Sequence, residues 1–145
     1  MQRVGVIGST GIGQRHAKGI AGIEQSAQVV AVCDLSPEAL DGFREKWKER
    51  WPDLHAYTDH REMLDKEELD IVTVATSDNA HAQLVVDAAQ AGAGGIFCEK
   101  PLATTVEDAA RMVAACEQAG TLLSVDHTRR WLPPVEPGQG PDRGR

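Results

Sequence analysis

The chain predicts an α/β fold, a doubly wound parallel sheet in a single domain, from three observations. Short apolar, β-branched runs alternate with longer stretches of helical periodicity, the pattern of consecutive βαβ units. The runs do not alternate with polar residues, as expected of strands whose two faces are both covered by helices. Gly8-Ser9-Thr10-Gly11-Ile12-Gly13 joins the first run to the first helical stretch, and glycine is suited to such a tight turn.

Strands are read at residues 3–7, 29–33, 71–75, 96–98 and 122–125, with a weaker one at 55–57. Helices are read at 12–23, 37–48, 80–91 and 106–118. Ser36 caps the second helix, with Pro37 in its first turn, and Thr105 caps the last, where Asp108 suits the helix dipole. Gly92 and Gly120 mark helix stops. In the last helix Val106, Ala109, Ala110, Val113 and Cys116 recur at three- and four-residue spacing, a stripe expected to pack on the sheet. The mixed-charge stretch 43–51 and the acidic stretch 65–68 read as solvated surface. From Pro133 the chain becomes rich in proline and glycine, so residues 132–145 are expected to be a disordered tail behind a domain at 1–131.

With 145 residues, 41% of them hydrophobic and 26% charged, the composition is that of one ordinary globular domain. A formal net charge of −7 argues against a nucleic-acid partner, because phosphate backbones are bound by clustered Lys and Arg. The longest apolar runs are strand-sized, so no membrane span is expected, and no basic segment followed by a long apolar one marks a signal peptide. Cys33, Cys98 and Cys116 are odd in number and widely spaced, which fits reduced thiols in the cytoplasm. His16, His55, His60, His81 and His127 show no metal-ligand spacing with Cys or carboxylates in the sequence, so no metal is expected.

The turn from Gly8 to Gly13 follows a strand and opens a helix, the context that a Rossmann dinucleotide fingerprint requires. Gly8 permits the tight turn, Gly13 lets the helix pack closely, and free amides at the helix start, around Ser9, Thr10, Gly11 and Ile12, can receive a pyrophosphate. Thr10 stands where the usual Gly-x-Gly-x-x-Gly pattern has its second glycine, and Gly11 beside it gives the loop an altered path. A tight turn without ligand is the other reading. Asp34 ends the second strand where a carboxylate bonds the adenosine ribose hydroxyls and repels a 2′-phosphate. It also suits a structural cap of the turn into Ser36-Pro37. The ribose reading favours NAD over NADP, while Arg15 and other nearby cations leave NADP open.

Two further segments lie at C-terminal strand ends, the edge where doubly wound sheets bind ligands: Thr76-Ser77-Asp78-Asn79-Ala80-His81, and Cys98-Glu99-Lys100-Pro101-Leu102. Together with the glycine loop, His16 and Thr128-Arg129-Arg130-Trp131, they make residues 3–131 resemble the N-terminal domain of the Gfo/Idh/MocA oxidoreductases, among them glucose-fructose oxidoreductase and inositol 2-dehydrogenase. Glu-Lys-Pro is the most specific element. The resemblance implies that Lys100 lies beside the nicotinamide and binds or proton-shuttles the reacting hydroxyl or carbonyl of a sugar- or cyclitol-like alcohol, with Glu99 beside it. It also implies a cis peptide before Pro101. A lone lysine is otherwise surface. Thr76, Ser77, Asn79 and His81 match a loop near the cofactor, with Ser77 replacing a frequent proline; helix capping by Asn79 and local hydrogen bonds by His81 are the structural alternative. His127 and Arg130 match positions near the family's inter-domain cleft.

Family members run to about twice this length, the remainder being an α/β domain that binds substrate and commonly mediates oligomerisation. That domain, with the family's Asp and His four residues apart, has no counterpart here, and a truncated or frame-shifted reading frame is the expectation. Two functions stand side by side: the cofactor half of an NAD(P)-dependent oxidoreductase, or a non-catalytic nucleotide-binding module or inactive fragment.

Overall fold

The computed structural model describes residues 1–128; the expected boundary at 131, Arg130 and the Pro/Gly tail lie outside them. Six parallel strands, β1 (Gln2–Ile7), β2 (Ala27–Cys33), β3 (His55–Tyr57), β4 (Ile71–Val74), β5 (Gly95–Glu99) and β6 (Leu122–Asp126), form one sheet in the order β3-β2-β1-β4-β5-β6. The strand order reverses at β1 and β4, the switch point where such sheets open a crevice.

Five helices connect them: α1 (Gly11–Ala21), α2 (Pro37–Trp47), α3 (His60–Lys66), α4 (His81–Gln90) and α5 (Val106–Ala119). On one face of the sheet Val6, Val29 and Val32 pack against Ala17 of α1 and Leu40 and Phe43 of α2. On the other, Val72, Val74, Ile96 and Cys98 pack against Met63 of α3, Val85 and Ala88 of α4 and Met112 and Cys116 of α5. Helices on both faces account for the uninterrupted apolar strands. The expected caps form, with the Ser36 hydroxyl accepting from the Ala39 amide, that of Thr105 from the Asp108 amide, and Gly120 closing α5 in the left-handed region at φ 70°.

Four local expectations are corrected. Helix α3 went unread because seven residues are too few to show periodicity; Asp59 caps it by accepting from the Arg61 amide. In the stretch 43–51, Phe43 on α2 and Trp51 beyond its end are buried in the cluster with Val29 and Val32, while the charged residues between them face water. In the acidic stretch, Glu67 is buried, accepting from Arg3 Nη2 at 2.9 Å and from the Tyr57 hydroxyl at 2.7 Å, and it also pairs with His55. On α5 the buried line runs through Met112 and Cys116, whereas Val106 and Val113 are exposed. Two apolar lines share that helix, and spacing alone does not say which one meets the sheet.

Candidate functional site

The backbone ladder continues past the strand ends and fixes three loops side by side. The Gly8 amide donates to the Cys33 carbonyl at 2.8 Å, the Ala75 amide to the Ile7 carbonyl at 2.8 Å and the Asp34 amide to the Tyr57 carbonyl at 3.1 Å. The glycine turn, Asp34 and the loop after β4 therefore share one edge.

In the turn, the glycines answer to contact and conformation. Gly8 has φ 96°, and a Cβ there would meet the Ala75 carbonyl oxygen at 2.3 Å; a Cβ on Gly13 would meet the Gly8 carbonyl oxygen at 1.7 Å. Thr10 has φ −110° and ψ 174°, extended backbone that any residue adopts. Gly11, at φ 45°, takes the conformation that favours glycine. The position of Thr10 thus needs no glycine, and the positive φ values of the turn fall on Gly8 and Gly11. Helix α1 has no acidic residue in its first turn and no side-chain cap, so its amino end faces the crevice as a positive pole.

Asp34 is tied to this turn. One carboxylate oxygen accepts from the Ser9 amide at 2.8 Å and the Ser9 hydroxyl at 2.7 Å, and the other accepts from the Ser36 amide at 3.1 Å. Burial opposes its ionisation, but these donors outweigh burial and hold the carboxyl below the ordinary value. The structural cap anticipated for Asp34 is therefore formed, and the same carboxylate borders the crevice. Ser9 is fully buried beneath it.

The crevice encloses about 560 Å³, within the size range of small-molecule sites. Gly8, Thr10, Asp34, Thr76 and Ser77 border it, as do Leu35, Thr58, Asp59, His60 and Leu84. The last five were missed. Thr58, Asp59 and His60 follow β3, and the rule that ligands gather at carboxyl strand ends would have reached them had the weak strand been given equal weight.

His81 is buried and does not border the crevice. Its Nδ1 lies 2.9 Å from the Pro101 carbonyl oxygen and its Nε2 3.3 Å from that of Thr76, so it ties the loop after β4 to the loop after β5 rather than bonding within its own turn. Asn79 sits exposed in a 3₁₀ turn, Asp78–Ala80, and does not cap α4, whose N-cap is Ala80. Lys100 is exposed at the end of β5, its peptide bond to Pro101 is cis, and its amide donates to Glu99 Oε2 at 3.0 Å.

A family model described as "Oxidoreductase family, NAD-binding Rossmann fold" matches residues 2–127. The chain belongs to that family. It is 43% identical over 111 residues to the D-apiose dehydrogenase of Paraburkholderia graminis, an alignment covering 76% of this chain and 28% of that protein. With the myo-inositol 2-dehydrogenase of Thermotoga maritima it shares 33% identity over 129 residues, 89% of this chain and 37% of the relative. Its fold superposes with a TM-score of 0.81 at 33% identity on the WlbA dehydrogenase of Bordetella pertussis, solved with NADH and UDP-GlcNAcA, covering 88% of this chain and 38% of that one. The chain is an NAD-binding Rossmann domain corresponding to the N-terminal part of these relatives.

Beside α1, this domain gathers residues that the sequence keeps apart. His16 and Ile12 of α1, with Glu99 and Asp126 at the ends of β5 and β6, border a second cleft of about 360 Å³. His16 Nε2 lies 3.6 Å from Glu99 Oε1 and 3.7 Å from Asp126 Oδ2. The sequence shows no histidine at ligand spacing from carboxylates, and the fold brings to His16 two carboxylates 83 and 110 positions away on adjacent strands. The thiols are buried, with desolvation pushing Cys33 and Cys98 up to about 12, aided by Asp34 and Glu99 respectively, so they are poor nucleophiles. Among the described residues no helix is long and apolar enough to cross a membrane.

Proposed function

We propose that residues 1–131 are the cofactor half of an oxidoreductase that moves a hydride between NAD and a sugar- or cyclitol-like alcohol. Gly8 and Gly13 keep the turn tight against strand and helix, since a Cβ at either would strike a backbone carbonyl oxygen, that of Ala75 or of Gly8. Ser9, Thr10, Gly11, Ile12 and Gly13 present the amino end of α1 to the pyrophosphate. Asp34 is held at the crevice edge by Ser9 and Ser36, where its carboxylate can accept from a ribose hydroxyl and its negative charge disfavours a 2′-phosphate. This carboxylate at the crevice edge is the observation that carries the reading.

Bound NAD would supply the hydride acceptor, and residues of this chain would hold and orient it. Thr76, Ser77 and Asn79 flank the cofactor from the loop after β4, with His81 holding that loop against Pro101. Lys100 binds the reacting hydroxyl and exchanges its proton, with Glu99 setting its backbone through the Lys100 amide. Relatives named for apiose and inositol support a polyol substrate, which the remainder of the full-length relatives would help to bind. Buried, unpaired thiols suit a reducing compartment such as the cytoplasm.

Titrating NADH into the purified chain and following its fluorescence, with NADPH in parallel, tests the reading. Saturable NADH binding, weakened by Asp34→Ala, is expected. Absence of binding by either dinucleotide overturns the cofactor assignment, and tighter NADPH binding overturns the role given to Asp34.

A further inference from the structure

We propose that His16, Glu99 and Asp126 form a divalent-cation site at the carboxyl ends of β5 and β6, in a cleft other than the one that Asp34 borders. One donor atom from each side chain lies within 4.8 Å of the others. The side chains are only 6%, 9% and 17% exposed.

Each carboxylate has one oxygen engaged and the other turned to the histidine. Glu99 Oε2 accepts from the Lys100 amide and Asp126 Oδ1 from the Thr128 hydroxyl, while Glu99 Oε1 and Asp126 Oδ2 face His16 Nε2 at 3.6 and 3.7 Å. These gaps are too long for charge-assisted hydrogen bonds, which close to about 2.7–2.9 Å. They approach the separation of about 3.4 Å between donors that each lie about 2.1 Å from a tetrahedral ion.

Both His16 ring nitrogens lack a hydrogen-bond partner among the described residues, although buried polar side chains nearly always have one. Nor does any Lys or Arg of those residues lie within 4 Å of either carboxylate. Arg15 lines the same cleft without reaching either carboxylate, and largely buried carboxylates are costly without a cation in contact. One nitrogen and two carboxylate oxygens, with water completing the shell, suit Zn²⁺ or Mn²⁺. A bound ion would join α1, β5 and β6 at one point and, through Glu99, steady the backbone of Lys100.

The test is calorimetric titration of the EDTA-treated, desalted chain with Zn²⁺ and with Mn²⁺, alongside Asp126→Asn, His16→Gln and the control His60→Ala. The site predicts one ion per chain, Zn²⁺ tighter than Mn²⁺, binding weakened at least about tenfold in the first two variants and unchanged in the control. Pulsed EPR of the Mn²⁺-loaded chain should show coupling to one imidazole nitrogen, lost in His16→Gln. If His16→Gln does not fold, the near-isosteric Asp126→Asn and the spectrum of the unaltered chain decide. Absence of saturable binding, binding indifferent to Asp126→Asn, or a Mn²⁺ spectrum without nitrogen coupling overturns the proposal.

Discussion

Replacing Asp34 with alanine removes the acceptor shared by the Ser9 amide, the Ser9 hydroxyl and the Ser36 amide. Ser9 is fully buried, and each donor left stranded costs about 1–3 kcal/mol, less where water from the crevice takes the place of the carboxylate. The hydroxyl recovers part of this by rotating, and the half-buried Ser36 amide recovers part by hydration. The expected loss is about 2–4 kcal/mol at neutral pH, read from urea denaturation followed by circular dichroism. Protonation supplies a second signature. Because the folded-state pKa lies below the ordinary 3.8, the ionised carboxylate contributes stability that is complete above that value and lost as pH falls through the lowered one. The gap between the unaltered chain and Asp34→Ala should therefore narrow below pH 3.8. A loss under about 0.5 kcal/mol at pH 7, or a gap that widens on acidification, would refute the account of Asp34 as the tie between turn and strand.

Gly13→Ala drives a Cβ into the Gly8 carbonyl oxygen and should cost about 3 kcal/mol or more by forcing α1 away from the sheet, lowering the urea midpoint and weakening NADH binding together. Thr10→Gly restores the usual fingerprint but should bring no gain, since Thr10 already has extended backbone; a loss of about 0.5–1 kcal/mol in thermal unfolding is expected from added chain entropy. His81→Phe keeps the buried ring while removing its contacts to the Thr76 and Pro101 carbonyls; it should destabilise by about 1–3 kcal/mol, with faster amide hydrogen exchange in both loops. Burial resists ionisation of Glu67, but Tyr57, His55 and Arg3 hold it below its ordinary value, so its stabilisation is lost as pH falls. Glu67→Gln should cost about 1–2 kcal/mol at pH 7, limited by the exposure of Arg3, and less at pH 3, as urea denaturation at the two pH values would show.

The strands, the four longer helices, the glycine turn and the family are legible in the residues, because these rest on short-range signals. Continuous apolar runs reported two covered faces, Ser36, Thr105 and Gly120 reported helix ends, and Glu99-Lys100-Pro101 reported kinship. Tertiary structure alone decided what depends on which distant segments meet. His81 read as a residue of its own helical turn until the loop after β5 came within 2.9 Å of its ring. Glu67 read as solvent charge until Arg3, His55 and Tyr57 closed on it, and α5 carried two apolar lines of which packing chose one. His16, Glu99 and Asp126 show the reason most directly: spacing along a chain constrains contact only within a helix turn or a hairpin, whereas a parallel sheet sets whole βαβ units side by side and brings together carboxyl ends that no local pattern connects.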